Sequence, residues 1–161
     1  MNFIKQFNNF ENLFLADYGC YNEKCTSIKE YILSNYSDCL TDDVTKAKFV
    51  LCIGGDGTLI KTVHDYKQHN LPIIGINAGT VGFMMNSGKF EEIDKIFQKG
   101  FEPYLIPLDL MKVELNNNEY FAFNEVMIGG DMSSWINLSI SSSYELNGDV
   151  KGGGMIFSTA Q

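Results

Sequence analysis

The clearest fold signal in this chain is FVLCIGGDGTLIKTVHDYKQ, residues 49–68. Its first five residues, 49–53, are apolar throughout, as in a strand that a parallel sheet buries on both faces. From Thr58 onward, apolar residues recur at the spacing of a helix that packs one face. Three glycines and one aspartate separate the two halves, at 54–57. The stretch therefore predicts a strand that turns directly into a helix, as in α/β domains.

The elements around this stretch alternate between strands and helices. Strands are predicted at 12–16, 49–53 and 72–76, and helices at 22–36, 58–70 and 89–99. The polar and acidic segment 37–43 is predicted to be a loop. This order predicts an α/β fold over residues 1–100, with a doubly wound, Rossmann-like sheet.

The pattern changes after residue 100. Short apolar runs separated by Asn- and Gly-rich turns predict strands at 110–115, 120–123 and 137–143. Residues 101–161 are therefore predicted to form the first part of a β-rich domain, of the all-β sandwich type.

Composition excludes several classes of function. The chain has 161 residues, of which 45% are hydrophobic, enough for a core. A net charge of −8 argues against nucleic-acid binding, which needs a basic surface. No apolar run approaches the ~18 residues of a membrane span, and the N-terminus lacks the apolar region of a signal peptide. We therefore expect a cytoplasmic protein with neither nucleic acid nor membrane as a partner.

Cysteines and histidines give no metal-binding pattern. No two of the four cysteines form a CxxC pair, so we expect free thiols in a reducing compartment. These cysteines are Cys20, Cys25, Cys39 and Cys52. The two histidines, His64 and His69, are five residues apart and do not share a helical face. No protein metal site is predicted.

The glycines at 54–57 favour a phosphate ligand. Gly54, Gly55 and Gly57 expose backbone amides without a Cβ, and with the N-terminus of a helix such amides attract anions. Thr58 suits the first turn of that helix. Asp56 would repel phosphate, so it would instead bind magnesium or accept a proton from an attacking hydroxyl. The alternative is a plain Asp-Gly turn, although a hairpin turn needs strands on both sides.

Four segments resemble motifs of known kinases. GGDGT at 54–58 resembles a signature shared by NAD kinases, lipid kinases and phosphofructokinases. IIGINAGTVGFM at 73–84 is similar to the second motif of the NAD kinases, whereas lipid kinases usually carry a different segment there. FAFNEVMIG at 121–129 and GGGMIFST at 152–159 resemble the later NAD kinase motifs. The resemblance to the NAD kinase family runs from about residue 48 to the last residue.

This resemblance implies a reaction and its participants. NAD kinases transfer a phosphoryl group from ATP, or from polyphosphate, to the 2′-hydroxyl of the adenosine ribose of NAD and so make NADP. Mg²⁺ would accompany the triphosphate, and the protein would be a homo-oligomer, a dimer or a tetramer. Asp56 matches the aspartate proposed as general base or hydroxyl-orienting group. The residues that the resemblance assigns to ligand binding are Gly54, Gly55, Gly57, Thr58, Asn77, Phe83, Asn124, Glu125, Ser158 and Thr159.

Three of these residues keep a second interpretation. Phe83 matches an aromatic residue expected to stack on adenine, but its apolar neighbours also fit a core position. Asn124 can pair with a base edge and Glu125 with ribose hydroxyls. The same two residues also fit a turn that precedes a strand at 126–128.

The chain departs from the family pattern in three places. Gly153 stands where the family usually has an aspartate of the NAD pocket, and Asp149 is a candidate to compensate. The arginine common before the first strand of the second domain is absent. The sequence stops at 158–161, inside the fourth motif, so we expect a fragment of a longer chain. Two alternatives therefore stay open: a nucleotide-binding module with weak catalysis, and another GGDGT kinase that acts on a lipid head group.

Overall fold

The computed structural model describes residues 11–98, 103–130, 135–143 and 147–158. Contacts divide the chain into two compact units, Met1–Pro107 and Leu108–Gln161. The boundary between these units falls after the domain boundary predicted at residue 100.

The first unit is an α/β domain. Its elements in chain order are β1 (Leu13–Ala16), α1 (Glu23–Tyr36), β2 (Leu40–Thr41), β3 (Phe49–Gly54), α2 (Asp56–Tyr66), β4 (Ile73–Asn77) and α3 (Phe90–Phe97). Short 3₁₀ helices lie at Ser37–Cys39, Val44–Lys46 and Lys67–His69.

The four strands form one parallel sheet in the order β2-β1-β3-β4. From β1 the chain moves outward to β2, and from β3 it moves in the opposite direction to β4. The strand order therefore reverses between β1 and β3. In open α/β sheets, a crevice for ligands opens at this reversal, outside the carboxyl ends of the strands.

Side chains of β3 alternate between the two faces of the sheet. Phe49, Leu51 and Ile53 belong to a buried cluster with residues of α1 and α3, such as Ile32 and Ile93. The intervening Val50 and Cys52 belong to a second cluster with Leu59 of α2. Helices therefore cover both faces, which confirms the doubly wound fold predicted from the apolar run at 49–53.

Helices α1 and α3 are joined by one carboxylate. Asp94 Oδ1 accepts hydrogen bonds from the hydroxyls of Tyr31 (2.6 Å) and Tyr36 (2.5 Å). The same two rings stack on Phe90 and Phe97, with centroids 4.2 and 4.1 Å apart. These contacts hold α3 against α1 at the side of the sheet.

Two element predictions in the α/β unit need correction. The segment 37–43 is not a simple loop, because Leu40–Thr41 pairs with β1 as the short strand β2. Helix α2 begins at Asp56 rather than at residue 58 and ends at Tyr66. Gly55 lies just before it in an extended conformation, and an aspartate in the first turn interacts favourably with the helix dipole.

The second unit contains antiparallel strands only, among the residues described. Their pairs are β5 (Met111–Leu115) with β6 (Asn118–Ala122), β7 (Glu125–Gly129) with β10 (Gly154–Ser158), and β8 (Ile136–Ile140) with β9 (Gly148–Gly152). Asn116 and Asn117 both have positive φ, as the tight turn between β5 and β6 requires. The predicted change to β structure is confirmed. Within the described ranges, no helix has the length and apolar character needed to cross a membrane.

Candidate functional site

The GGDG segment lies at the carboxyl end of β3. A Cβ on Gly54 would overlap the side chain of Thr58, so Gly54 allows that side chain to fold back over the end of the strand. A Cβ on Gly55 or Gly57 would meet nothing within 4 Å. Gly54 therefore has a packing role, whereas Gly55 and Gly57 border open space that a ligand can enter.

Asp56 connects the first motif to the second. Its Oδ2 accepts a hydrogen bond from the backbone amide of Phe83, and its Oδ1 accepts one from Met84, both at 3.1 Å. The backbone amide of Ala78 also donates to the carbonyl of Gly54, at 2.7 Å. The loop after β4 is thus fixed to the turn after β3 by three hydrogen bonds.

Asn77 and Gly82 shape the loop that carries Phe83. Asn77 Oδ1 accepts a hydrogen bond from the Gly79 amide at 2.8 Å. A Cβ on Gly82 would lie 2.9 Å from Cγ of Asn77, so only glycine fits closely against this side chain. The backbone amide of Asn77 also donates to the backbone carbonyl of Asn86 at 2.8 Å. In this arrangement Asn77 holds the loop through both its side chain and its backbone amide.

Phe83 is not a core residue. Its side chain is 91% exposed, while the backbone beside it is held by Asp56. An exposed phenylalanine whose backbone is fixed in this way is free to contact a ligand or another chain. The interpretation of Phe83 as a core aromatic is therefore wrong.

A third segment, the start of α1, reaches the same loop and was missed by sequence reasoning. Asn22 caps α1 by accepting the Cys25 amide at 2.8 Å, and its Nδ2 donates to the carbonyl of Ala78 at 3.1 Å. Lys24 Nζ donates to the carbonyl of Gly79 at 3.4 Å. The available signal was topological, because the segment after β1 must lie at the same edge of a parallel sheet as the turn after β3.

The thiols near this segment are free. Cys20 and Cys25 bring their sulfur atoms within 2.6 Å of each other, and both are unbonded cysteines, as are Cys39 and Cys52. Burial raises the pKa of the Cys25 thiol to about 11. Cys25 is therefore protonated at neutral pH and is a poor nucleophile.

In the second unit, the pairing of β7 with β10 brings two predicted residues together. Glu125, the first residue of β7, is opposite Ser158, the last residue of β10. Asn124 has a φ of +72° just before β7, which is the turn conformation of the alternative interpretation. The remaining predicted residue, Thr159, lies outside the described residues.

Gly153, which stands where the family usually has an aspartate, has free space beside it. A Cβ on Gly153 would have no neighbour within 4 Å, so an aspartate side chain would fit there. Asp149, the candidate replacement, accepts a hydrogen bond from the Ser139 hydroxyl at 2.6 Å on the adjacent strand. Asp149 therefore has a local partner within its own hairpin.

Comparison with known proteins identifies related sequences. The family model described as the ATP-NAD kinase N-terminal domain matches residues 6–103, more than half of the chain. An NAD kinase from Rickettsia africae is 33% identical over 111 residues, which are 67% of this chain and 42% of that protein. One from Cereibacter sphaeroides is 27% identical over 132 residues, which are 79% of this chain and 50% of that protein. The chain thus spans about half the length of these curated relatives.

A solved structure shares the fold. The crystal structure of an NAD kinase from Archaeoglobus fulgidus in complex with ATP matches with a TM-score of 0.56 and 19% sequence identity. The match covers 92% of this chain and 59% of that one. With the family model matched across the α/β unit and the GGDG turn fixed to the loop after β4, the chain belongs to the NAD kinase family.

Proposed function

We propose that the protein containing this chain is an NAD kinase, which transfers a phosphoryl group from ATP, or from polyphosphate, to the 2′-hydroxyl of the adenosine ribose of NAD. The observation that carries this proposal is the pair of hydrogen bonds from the Phe83 and Met84 amides to Asp56. They place a carboxylate, an exposed aromatic ring and open glycine backbone at one edge of the sheet. Such an edge suits a nucleotide with a reactive hydroxyl.

Asp56 supplies the chemistry in this proposal. Each of its carboxylate oxygens accepts one backbone amide and keeps a further lone pair for a substrate hydroxyl. The bond from the hydroxyl oxygen to phosphorus forms as the bond to the leaving phosphate breaks, and the hydroxyl proton passes to Asp56. Phosphoryl transfer depends mainly on positioning and charge stabilisation, so a carboxylate fixed by two amides is well suited to orient the nucleophile.

The remaining site residues divide by their place in the fold. In the α/β unit, Gly55 and Gly57 leave room for the phosphate chain, and Phe83 stacks on adenine. In the second unit, Glu125 accepts hydrogen bonds from ribose hydroxyls, and Ser158, opposite it on β10, is a further binding residue. Gly54, Thr58 and Asn77 shape the backbone around these contacts. Asn124 sets the turn that presents Glu125, and it pairs with a base edge.

Magnesium enters with the phosphoryl donor. Among the described residues, no group of three or more His, Cys, Asp or Glu side chains is arranged to hold a metal ion. We expect Mg²⁺ to be bound chiefly by phosphate oxygens and water, because Mg²⁺ in phosphoryl-transfer sites commonly takes only one or two protein carboxylates. When bound, the ion would neutralise charge that develops on the phosphates.

The other proposals concern the whole protein. We place it in the cytoplasm as a homo-oligomer, a dimer or a tetramer, with NAD and ATP as its small-molecule partners. The net charge of −8 supports the absence of a nucleic-acid partner.

One assay tests the proposal. The full-length protein is incubated with NAD, Mg²⁺ and either ATP or polyphosphate, and NADP is measured with an NADP-specific dehydrogenase. We expect NADP with the native protein and little with Asp56→Asn. If the native protein binds NAD but gives no NADP with either donor, it is a nucleotide-binding module. Phosphorylation of a lipid head group instead of NAD would identify a lipid kinase.

A further inference from the structure

We propose that Lys24, in the first turn of α1, binds the phosphate chain of the phosphoryl donor. This assignment rests on the proposed function and adds to it a residue that lies outside all four motifs. It names the cation that faces the phosphates in a chain without arginine.

The topology of the sheet places Lys24 beside the ligand crevice. Strands β1 and β3 are adjacent, and the strand order reverses between them. The crevice is therefore bordered by the segment after β1, which leads into α1, and by the turn after β3, which is GGDG. Lys24 belongs to the first of these borders and Asp56 to the second.

Contacts within the α/β unit place the ammonium group close to the glycine turn. Lys24 Nζ lies 3.4 Å from the carbonyl oxygen of Gly79. Gly79 in turn packs against the turn, since a Cβ on it would lie 3.9 Å from Cα of Gly55. The neighbouring Asn22 holds this segment in place by its hydrogen bond to the carbonyl of Ala78. A phosphate that entered the open space beside Gly55 would lie within reach of the lysine.

The hydrogen-bonding state of Lys24 suits an anionic ligand. An ammonium group has three donors, and the contact with Gly79 uses one of them. Its partner is a neutral carbonyl, and none of the ion pairs found within the described ranges includes Lys24. Five other lysines are already neutralised by carboxylates: Lys29, Lys46, Lys61, Lys95 and Lys112. Lys24 therefore keeps its charge available for a ligand.

Phosphate is the anion that this position favours. The chain carries a net charge of −8, and all 12 of its basic residues are lysines. A triphosphate needs compensation for several negative charges, which backbone amides supply only in part. A lysine beside the glycine turn supplies a full positive charge where the phosphates would lie.

The test compares Lys24→Gln with a matched control, Lys48→Gln, in the full-length protein. Glutamine keeps a donor for the Gly79 carbonyl, so the loop is retained while the charge is lost. Lys48 is exposed and directly precedes β3, so it lies at the amino ends of the strands, away from the GGDG turn. Its substitution makes the same change in net charge. Equal thermal melts of the two variants establish that both are folded.

The readouts are the KM for ATP, the KM for NAD, and the Kd for inorganic tripolyphosphate with Mg²⁺, measured by calorimetry. We expect Lys24→Gln to raise the KM for ATP and the tripolyphosphate Kd about tenfold, with the KM for NAD within about twofold. Lys24→Arg should restore most of the affinity, and Lys48→Gln should match the native protein.

An unchanged Kd in Lys24→Gln, or an equal loss in Lys48→Gln, would overturn the assignment. So would a native protein that binds no tripolyphosphate. Calorimetry needs no turnover, so a native protein that binds tripolyphosphate through Lys24 and yet makes no NADP would overturn the proposed function alone.

Discussion

The carboxylate of Asp56 accepts a hydrogen bond from the backbone amide of Phe83, with 3.1 Å between Oδ2 and N. The two residues are 27 positions apart and belong to different sequence motifs. Their contact means that the acidic residue proposed for catalysis also fixes the loop that presents the exposed ring. Changes at either residue therefore report on the same part of the site, and the pattern of losses distinguishes their roles.

Replacing Asp56 by asparagine should lower turnover far more than NAD affinity. The amide keeps one acceptor, but its NH₂ group faces one of the two backbone donors and cannot accept a proton. General-base contributions are typically ~10²- to 10⁴-fold, so we expect kcat to fall within that range. Steady-state kinetics and NAD titration measure the two effects. Equal losses in rate and affinity would mean that Asp56 serves mainly to hold the loop.

Replacing Phe83 by leucine should weaken NAD binding without lowering stability. The ring is 91% exposed, so its removal creates no cavity in the core. Loss of a stack between a base and an aromatic ring typically costs ~1–3 kcal/mol of binding free energy. Val81→Ala is the control, because Val81 is exposed on the same loop.

Thermal melts and NAD titrations of the two variants decide this prediction. A lower melting temperature with intact NAD affinity in Phe83→Leu would remove Phe83 from the site.

Introducing aspartate at Gly153 should strengthen NAD binding. The position has open space for a Cβ, so we expect the free energy of unfolding to change by less than about 0.5 kcal/mol. The resemblance to the family implies that an aspartate here contacts NAD. Gly153→Asn is the matched control without charge. If both variants bind NAD like the native protein, the contact is made elsewhere, and Asp149→Ala becomes the next variant to test.

Removing the Asp94 carboxylate should change how stability depends on pH. Hydrogen bonds from Tyr31 and then Tyr36 hold the pKa of Asp94 below its ordinary value of 3.8. Folding therefore favours the ionised form. Its stabilising contribution is complete above the unfolded pKa and is lost as the pH falls through the lower folded pKa.

Asp94→Asn should accordingly melt at a lower temperature near neutral pH and lose less stability than the native chain on acidification below about pH 4. Melting curves across this range measure the difference. Glu91→Gln, an exposed carboxylate on the same helix, is the control. Parallel curves for Asp94→Asn and the native chain would contradict the assigned role.

The sequence alone predicted the alternation of the main strands and helices in the α/β unit, the change to β structure after it, and the family. The unbroken apolar run at 49–53 predicted a buried parallel strand, because a strand covered on both faces carries apolar side chains on both instead of alternating apolar and polar residues. The glycines at 54–57 predicted the turn, because they favour close backbone approach. Such signals are local, so they can be recognised without knowing which elements pack around them.

Which side chains and backbone groups contact one another depends on the three-dimensional packing. No periodicity could show that Asp56 would accept the amides of Phe83 and Met84, or that the first turn of α1 would reach Gly79. These contacts depend on how strands pair and where each loop leaves the sheet. The short strand β2 was missed for the same reason, since two residues have no pattern of their own and are strand only through pairing with β1.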